Sequence, residues 1–145
     1  MKLPEVLNTI QLHKILTVDK FVQPLFRGVY ARDELPRSGL YPSCLVVNTH
    51  SSSEPGEHWL AIYYDMNGIC EFFDSFGLPP AAYRLGSYLK RTSTRVKWNH
   101  KCYQPLDSNA CGYYCFLYLM FRCRDMDFKA VKKNMLIRMF KGLFK

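Results

Sequence analysis

The sequence predicts an α+β domain, because it predicts both a β-hairpin and a buried helix. Residues 58–64 and 69–74 are aromatic and β-branched runs on either side of an Asn-Gly pair, which is a strong signal for a β-hairpin. Residues 110–123 are apolar nearly all round, which is typical of a helix buried on most of its faces. With 145 residues, of which 48% are apolar and 15% aromatic, the chain can bury a core of its own. Because it has no internal repeat and no low-complexity tract, we expect residues 1–145 to form one domain.

The N-terminal part begins with helical spacing and then loses regular structure. Within the first 22 residues, Val6, Ile10 and Ile15 recur at helical intervals, which predicts one or two short helices. Prolines and glycines interrupt residues 23–42 so often that we predict an irregular loop there. Residues 44–49 are a short apolar, β-branched run and predict a buried strand.

The register of the hairpin decides whether two polar side chains meet. A two-residue turn would place His58 and Asp74 on opposite faces, whereas a three-residue loop with Gly68 in the left-handed conformation pairs Asp65 with Ile69. In the second register Asp74 is a same-face diagonal neighbour of His58, about 7 to 8 Å away between backbones. We predict the second register, because it allows the imidazole to meet the carboxylate.

The rest of the chain alternates between helix and strand signals. Residues 81–91 have leucines four apart and predict a short amphipathic helix, and residues 95–100 alternate like a further strand. The buried helix that follows should be capped by Ser108 or Asn109. Residues 128–145 predict a basic amphipathic helix, which either packs against the domain or docks on DNA, a partner or an anionic membrane.

Charge and cysteine usage restrict the partners and the compartment. Residues 1–80 carry 6 Lys+Arg against 9 Asp+Glu, whereas residues 81–145 carry 14 against 3, so the second half could face DNA or be a merely solvated surface. No apolar run approaches the roughly 20 residues that span a bilayer, and no signal peptide is evident, so we expect an intracellular protein without a membrane span. The six cysteines should be mostly reduced thiols, and because their spacing lacks the paired knuckles of a zinc site, we expect no metal.

Cys111 stands at the start of the predicted buried helix, where a thiol is readily activated. The unpaired N–H groups and the positive end of the helix dipole stabilise a thiolate, and Gly112 would let a substrate carbonyl approach closely. A cysteine nucleophile needs a base and a group that orients the base, and His58 with Asp74 can provide both. The Gln104 amide and the Cys111 N–H could together donate to the oxyanion of a tetrahedral intermediate. The other five cysteines lack this placement and are predicted to be inert packing residues.

Four short motifs occur in a fixed order along the chain. They are Val47-Asn48-Thr49, Gly56-Glu57-His58-Trp59, Phe73-Asp74-Ser75-Phe76-Gly77 and Gln104-Pro105-Leu106-Asp107-Ser108-Asn109-Ala110-Cys111-Gly112. The order His, acid, Gln, Cys and the Gln-x6-Cys-Gly spacing resemble the adenovirus protease (adenain) family, in the same clan as the SUMO and ubiquitin-like proteases. The resemblance covers about two thirds of the chain.

The resemblance implies a role for each matched residue. His58 would be the general base, Asp74 the acid that orients it, Cys111 the nucleophile and Gln104 a donor in the oxyanion hole. A tryptophan that follows the catalytic histidine would wall a narrow channel for glycine-containing substrate ends. The residues assigned in this way to substrate binding are Trp59, Gly112 and Asn48.

The resemblance also implies a fold and a function. The fold is that of a papain-like cysteine protease with an altered chain order, in which a central Cys-bearing helix packs on a mostly antiparallel sheet. The activity would be that of a thiol protease, a hydrolase that processes viral structural precursors at glycine-containing sites and requires no cofactor for its chemistry. Members of the family are activated by DNA and by a short capsid-precursor peptide, which forms a disulfide with an enzyme cysteine upstream of the Gln. By spacing, the position of that cysteine falls near Ser93 here. We therefore expect activation by DNA or a peptide without that disulfide, and a monomer found in the host nucleus and the virion if the source is viral.

Three alternatives stay open. Aspartate at position 74, followed by serine, looks more like the SUMO proteases, whereas the Val-Asn-Thr motif and Ala110 favour the viral group. An isopeptidase that removes SUMO or a ubiquitin-like tag is therefore a second enzyme candidate. The chain could also be a nucleic-acid-binding, capsid-associated protein that keeps the fold without activity, or an acyltransferase. Full biological function of a Cys111→Ala variant would indicate the inactive, capsid-associated protein. Dependence of the activity on acetyl-CoA would indicate the acyltransferase.

Overall fold

The computed structural model describes residues 6–105 and 108–126, and over these residues it has a five-stranded sheet and three α-helices. The elements are α1 (Thr9–Val18), β1 (Phe26–Tyr30), β2 (Ser43–Asn48), β3 (Trp59–Tyr64), β4 (Ile69–Phe73), α2 (Gly86–Thr92), β5 (Arg95–Trp98) and α3 (Cys111–Arg122). Across the described segments, every helix is too short or too polar to cross a bilayer. The predicted α+β class is confirmed.

The strands lie in the sheet in their chain order, from β1 to β5. The central strand β3 is antiparallel to both of its neighbours, β2 and β4, as expected, whereas β1 and β5 run parallel to theirs. The sheet is therefore mixed, with an antiparallel centre and two parallel edges. The antiparallel centre is the part that carries the candidate site.

Both faces of the sheet are covered. The face with Val46 and Ala61 packs against α1 and α3, and the opposite face with Leu45 and Leu60 packs against the apolar side of α2. Side chains of a strand alternate between the two faces, so a strand covered on both sides is buried at every position. This explains why all residues of β2 and β3 are buried.

The hairpin between β3 and β4 has the predicted register. Tyr64 pairs with Cys70, and the Asp65 N–H donates to the Ile69 carbonyl at 3.0 Å, so the loop contains three residues. Gly68 closes this loop with a φ of 78°, a conformation that glycine adopts without strain. The residues before β3 and after β4 therefore lie side by side at the same end of the sheet.

Two predictions of secondary structure are wrong. Residues 26–30 form β1 inside the predicted loop, where Gly28 at φ 139° accompanies a shift of register that disguises the strand pattern. The helix predicted over residues 81–91 begins only at Gly86, because Arg84 adopts the left-handed conformation and ends a 3₁₀ turn that precedes it.

The cap of the buried helix also differs from the prediction. Ala110 is the capping residue of α3 and makes no side-chain hydrogen bond, whereas the Ser108 hydroxyl accepts the Ala110 N–H at 3.2 Å. The predicted basic helix of residues 128–145 lies outside the described residues.

Candidate active site

His58 and Asp74 meet at one end of the hairpin. His58 immediately precedes β3 and Asp74 immediately follows β4, so the register brings their side chains onto the same face. The imidazole Nε2 lies 2.6 Å from the carboxylate Oδ1, and both side chains are buried. A short hydrogen bond between a buried imidazole and a buried carboxylate orients the ring, as a base–acid pair requires.

Asp74 is held by three further donors. The Phe76 N–H donates to Oδ1 at 3.1 Å, and Oδ2 accepts the Leu78 N–H at 3.1 Å and the Tyr83 hydroxyl at 2.6 Å. Burial would raise the pKa of Asp74, but the hydrogen bonds with His58 and Tyr83 lower it below its usual value. The carboxylate is therefore ionised at neutral pH and fixed in orientation.

The His58 ring lies between aromatic side chains. It stacks on Phe76 with ring centroids 4.8 Å apart, and the Tyr83 ring lies 5.8 Å away. Burial alone would lower the pKa of His58, but the hydrogen bond to Asp74 and the contact with the Cys111 thiol raise it to about 9. The imidazole is therefore protonated at neutral pH, the form that can stabilise a thiolate.

Cys111 is the first residue of α3 and lies against the backbone of β3. Its side chain is buried, and its Sγ accepts the Trp59 N–H at 3.4 Å. Burial raises the pKa of Cys70 to about 12 and that of Cys115 well above the usual value for a thiol, so both stay protonated. Cys111 differs from these two in touching an imidazolium, which makes it the best nucleophile candidate of the three.

Gln104 is fixed between two residues near the nucleophile. Its Nε2 donates to the Ser108 carbonyl at 2.6 Å, and its Oε1 accepts the Ser75 hydroxyl. The Gln104 N–H also donates to the Ser75 carbonyl at 3.0 Å. The amide is buried and rigidly held, and its role in an oxyanion hole stays a prediction.

Trp59 and Asn48, two of the residues assigned to substrate binding, line a cleft of about 590 Å³. The Trp59 indole N–H donates to the Leu7 carbonyl at 3.0 Å, so the N-terminal segment forms one wall. The Asn48 Oδ1 accepts the N–H groups of His50 at 2.8 Å and Glu57 at 3.1 Å. Asn48 therefore shapes the loop of residues 50–57, which also lines the cleft.

Gly112 has a different environment from the one expected. A Cβ at this position would lie 3.1 Å from the Leu7 Cβ and 3.2 Å from the Trp59 Cδ1. Protein atoms occupy the space that was expected to admit a substrate carbonyl, so the glycine is needed for packing at the helix N-terminus. Its assignment to substrate binding stays a prediction.

Sequence reasoning missed two residues that hold the acid. Tyr83 contacts the carboxylate, as described above, and Asn99 holds the main chain of the same residue. The Asn99 Oδ1 accepts the Asp74 N–H at 3.1 Å, and its Nδ2 donates to the Asp74 carbonyl at 2.7 Å. The contacts join separate elements, 9 and 25 residues apart in the chain, so no local sequence pattern predicts them.

Comparison by sequence finds viral relatives. No protein-family model matches the chain. The chain is 25% identical over 162 aligned residues to the putative thiol protease of Acanthamoeba polyphaga mimivirus. The alignment covers 93% of this chain and 53% of that protein. The chain is also 28% identical over 95 residues to the cysteine protease of African swine fever virus. This alignment covers 57% of this chain and 34% of that protein. The chain thus spans about half of the first relative and a third of the second.

Comparison by structure finds the same fold in a bacterial protein. The central domain of an uncharacterized Legionella pneumophila protein superposes with a TM-score of 0.54 at 16% identity, covering 97% of this chain and 89% of that domain. The crystal structure of the African swine fever virus protease gives a TM-score of 0.47 at 22% identity, covering 70% of this chain and 44% of that one. The chain is therefore similar in sequence to viral proteins named as thiol or cysteine proteases, and the resemblance to the adenovirus enzymes in particular stays a prediction.

Proposed function

We propose that this chain is a cysteine endopeptidase with Cys111 as its nucleophile. The observation that carries the proposal is the buried His58–Asp74 pair, joined at 2.6 Å, with the imidazole in contact with a thiol at the start of α3. An isolated buried carboxylate or imidazolium would be costly, so a structure that holds both next to a thiol has a chemical use for them. The names of the two viral relatives support the same activity.

The geometry supports acyl transfer in two steps. The Cys111 thiolate attacks the carbonyl carbon, and the π electrons move to the oxygen, where the Cys111 N–H and the Gln104 amide stabilise the negative charge. The intermediate collapses to a thioester as the C–N bond breaks and the amine leaves with the proton of His58. His58 then takes a proton from water, which attacks the thioester, releases the carboxylic acid and regenerates the thiolate.

We further propose that the substrate has glycine next to the scissile bond and belongs to a viral structural precursor. Cys111 is only 5% exposed, and the Trp59 indole lies close to the next residue, Gly112. So narrow an approach suits a backbone without a side chain near the reacting carbonyl. Both of these sequence relatives are viral proteins, and we propose that the enzyme acts in an infected cell as a monomer, in the host nucleus and the virion.

Cleavage of two substrate types tests this proposal. We expect wild-type protein to cleave peptides with Gly-Gly or Gly-x-Gly junctions, and we expect the Cys111→Ala variant to leave them intact. A folded SUMO fusion serves as the second substrate. Selective cleavage of the fusion would move the assignment to an isopeptidase of the SUMO type, and failure of the wild type on both substrates would contradict a protease.

DNA is expected to raise the rate of peptide cleavage several-fold at low salt, and this effect should fade towards physiological salt. Residues 84–105 contain six Lys or Arg and no Asp or Glu, and the basic side chains on α2 and β5 are exposed. Such a surface attracts a polyanion over a range that salt shortens. The measurement is the cleavage rate with and without duplex DNA across a series of salt concentrations.

Two triple variants separate a DNA-binding surface from net charge. Lys90, Arg91 and Arg95 are changed to Gln in one variant, and Lys14, Lys20 and Arg37, which lie outside residues 84–105, are changed to Gln in the other. Both lose three charges, but only the first should lose stimulation by DNA. Equal stimulation of the two variants, or a wild-type rate that DNA leaves unchanged at every salt concentration, would contradict the proposal.

A further inference from the structure

Two consecutive residues, Asp74 and Ser75, contact different parts of the candidate site: the base and the Gln104 amide. The Asp74 side chain holds the base, and the next residue, Ser75, makes its contacts with Gln104. Ser75 is completely buried, and its carbonyl accepts the N–H groups of Tyr103 at 2.8 Å and Gln104 at 3.0 Å. The main chain of Ser75 thus places the backbone of Gln104, and its hydroxyl is free to act on the side chain.

The contacts of the Gln104 amide define which way it faces. The Ser108 carbonyl, which lies 2.6 Å from one end of the amide, has no hydrogen to donate, so this end must be the Nε2 donor. The other end is then the carbonyl Oε1, and it needs a donor because the side chain is only 2% exposed. The Ser75 hydroxyl is that donor.

A correctly oriented amide keeps one hydrogen available. Nε2 carries two hydrogens, and the Ser108 carbonyl uses one of them, so the second can point to a developing oxyanion. A flipped or tilted amide would instead present an oxygen, or no donor, to the negative charge. The value of such a donor depends on its being fixed before the reaction begins.

We propose that Ser75 is a positioning residue, whose hydroxyl fixes the Gln104 amide so that its free N–H faces the oxyanion of the tetrahedral intermediate. The inference rests on the proposed function, since it concerns the same peptide hydrolysis. It adds a residue that touches neither the substrate nor the reacting atoms.

The variant Ser75→Ala removes the hydroxyl and keeps the backbone contacts. We expect kcat to fall about ten-fold with KM unchanged, compared with about 10²- to 10³-fold for loss of an oxyanion donor itself. The conservative variant Ser75→Thr, which keeps a hydroxyl, should recover at least half of the wild-type kcat. The matched control is Ser43→Ala, which removes another buried serine hydroxyl, one that donates a hydrogen bond to the Leu40 carbonyl at 2.5 Å. Ser43 lies at the far end of β2 from the site, so this variant should leave kcat unchanged.

A double-mutant cycle distinguishes positioning from general damage. If Ser75 acts through Gln104, the Ser75→Ala change should cost nothing further in a Gln104→Ala background. Affinity for a peptide aldehyde, whose carbonyl carbon bonds to Cys111 Sγ while its oxygen becomes the oxyanion, should fall with kcat. Alkylation of Cys111 by iodoacetamide forms no oxyanion, so its rate should stay at the wild-type value.

The outcomes separate the inference from the function it rests on. An equal loss in both backgrounds, a wild-type kcat in Ser75→Ala, or slower alkylation would overturn the role of Ser75 and leave the protease intact. Absence of hydrolysis that depends on Cys111 in the wild type would overturn the proposed function, and the inference with it.

Discussion

Replacement of Cys111 by alanine is expected to lower kcat for peptide hydrolysis by about 10⁴-fold or more, because in the proposed mechanism the thioester forms on the Cys111 Sγ. The fold should survive the change, since the thiol occupies the first position of α3 and its hydrogen bond from the Trp59 N–H is long, at 3.4 Å. The measurement is the turnover of a glycine-containing fluorogenic peptide, with circular dichroism to verify folding.

Two other thiols provide the controls. Cys115 lies one turn further along α3 and is completely buried, and Cys102 is exposed. Substitution of either by alanine removes a thiol without touching the His58–Asp74 pair, so we expect kcat within a few-fold of the wild type. Labelling with iodoacetamide at neutral pH should modify Cys111 faster than Cys102. Residual turnover in Cys111→Ala at more than a hundredth of the wild-type rate would assign the chemistry to another group.

The Asp74→Asn variant is expected to lose about 10⁴-fold in kcat, because its amide favours the wrong tautomer of the imidazole and does not stabilise the imidazolium. The pH profile should change as well. His58 must be protonated to give its proton to the leaving amine, so wild-type kcat/KM should fall as the pH rises through the His58 pKa of about 9. Loss of the Asp74 charge removes a cause of that raised pKa, so the alkaline limb should move to lower pH.

Asp19→Asn is the matched control for this variant. Asp19 is a largely buried carboxylate with several donors, including the Arg124 guanidinium at 2.7 Å, and it lies away from the hairpin end that carries the site. Its substitution should reduce stability but leave the alkaline limb in place. An Asp74→Asn profile that superposes on that of the wild type would show that Asp74 does not set the protonation of His58.

The parts of the site that depend on local sequence could be predicted. The Asn-Gly loop determines the register from within a few residues, and that register alone brings His58 to Asp74. The start of α3 was likewise predictable, because the apolar run begins at Cys111 and its neighbours are small or polar. The cap was not, since Ser108 bonds to the Ala110 N–H instead of capping the first turn.

The parts that depend on distant packing could not be predicted. β1 is an edge strand that pairs in parallel with β2, and parallel pairing leaves no hairpin signal in the sequence. The contacts of Tyr83 and Asn99 with Asp74 arise only when a 3₁₀ turn and the end of β5 pack beside β4. No residue spacing encodes such contacts, since they join separate elements through the fold as a whole.

The Asn48 carboxamide that anchors the 50–57 loop has an evolutionary consequence. The proposed base, acid and nucleophile stand at the ends of core elements, whereas the walls of the cleft that Trp59 and Asn48 line come from this loop and the segment before α1. Loops accept substitutions and insertions far more readily than buried strands. Under the proposed function, substrate preference can therefore change among proteins with this fold while the reaction stays the same, provided that one buried amide keeps the loop in place.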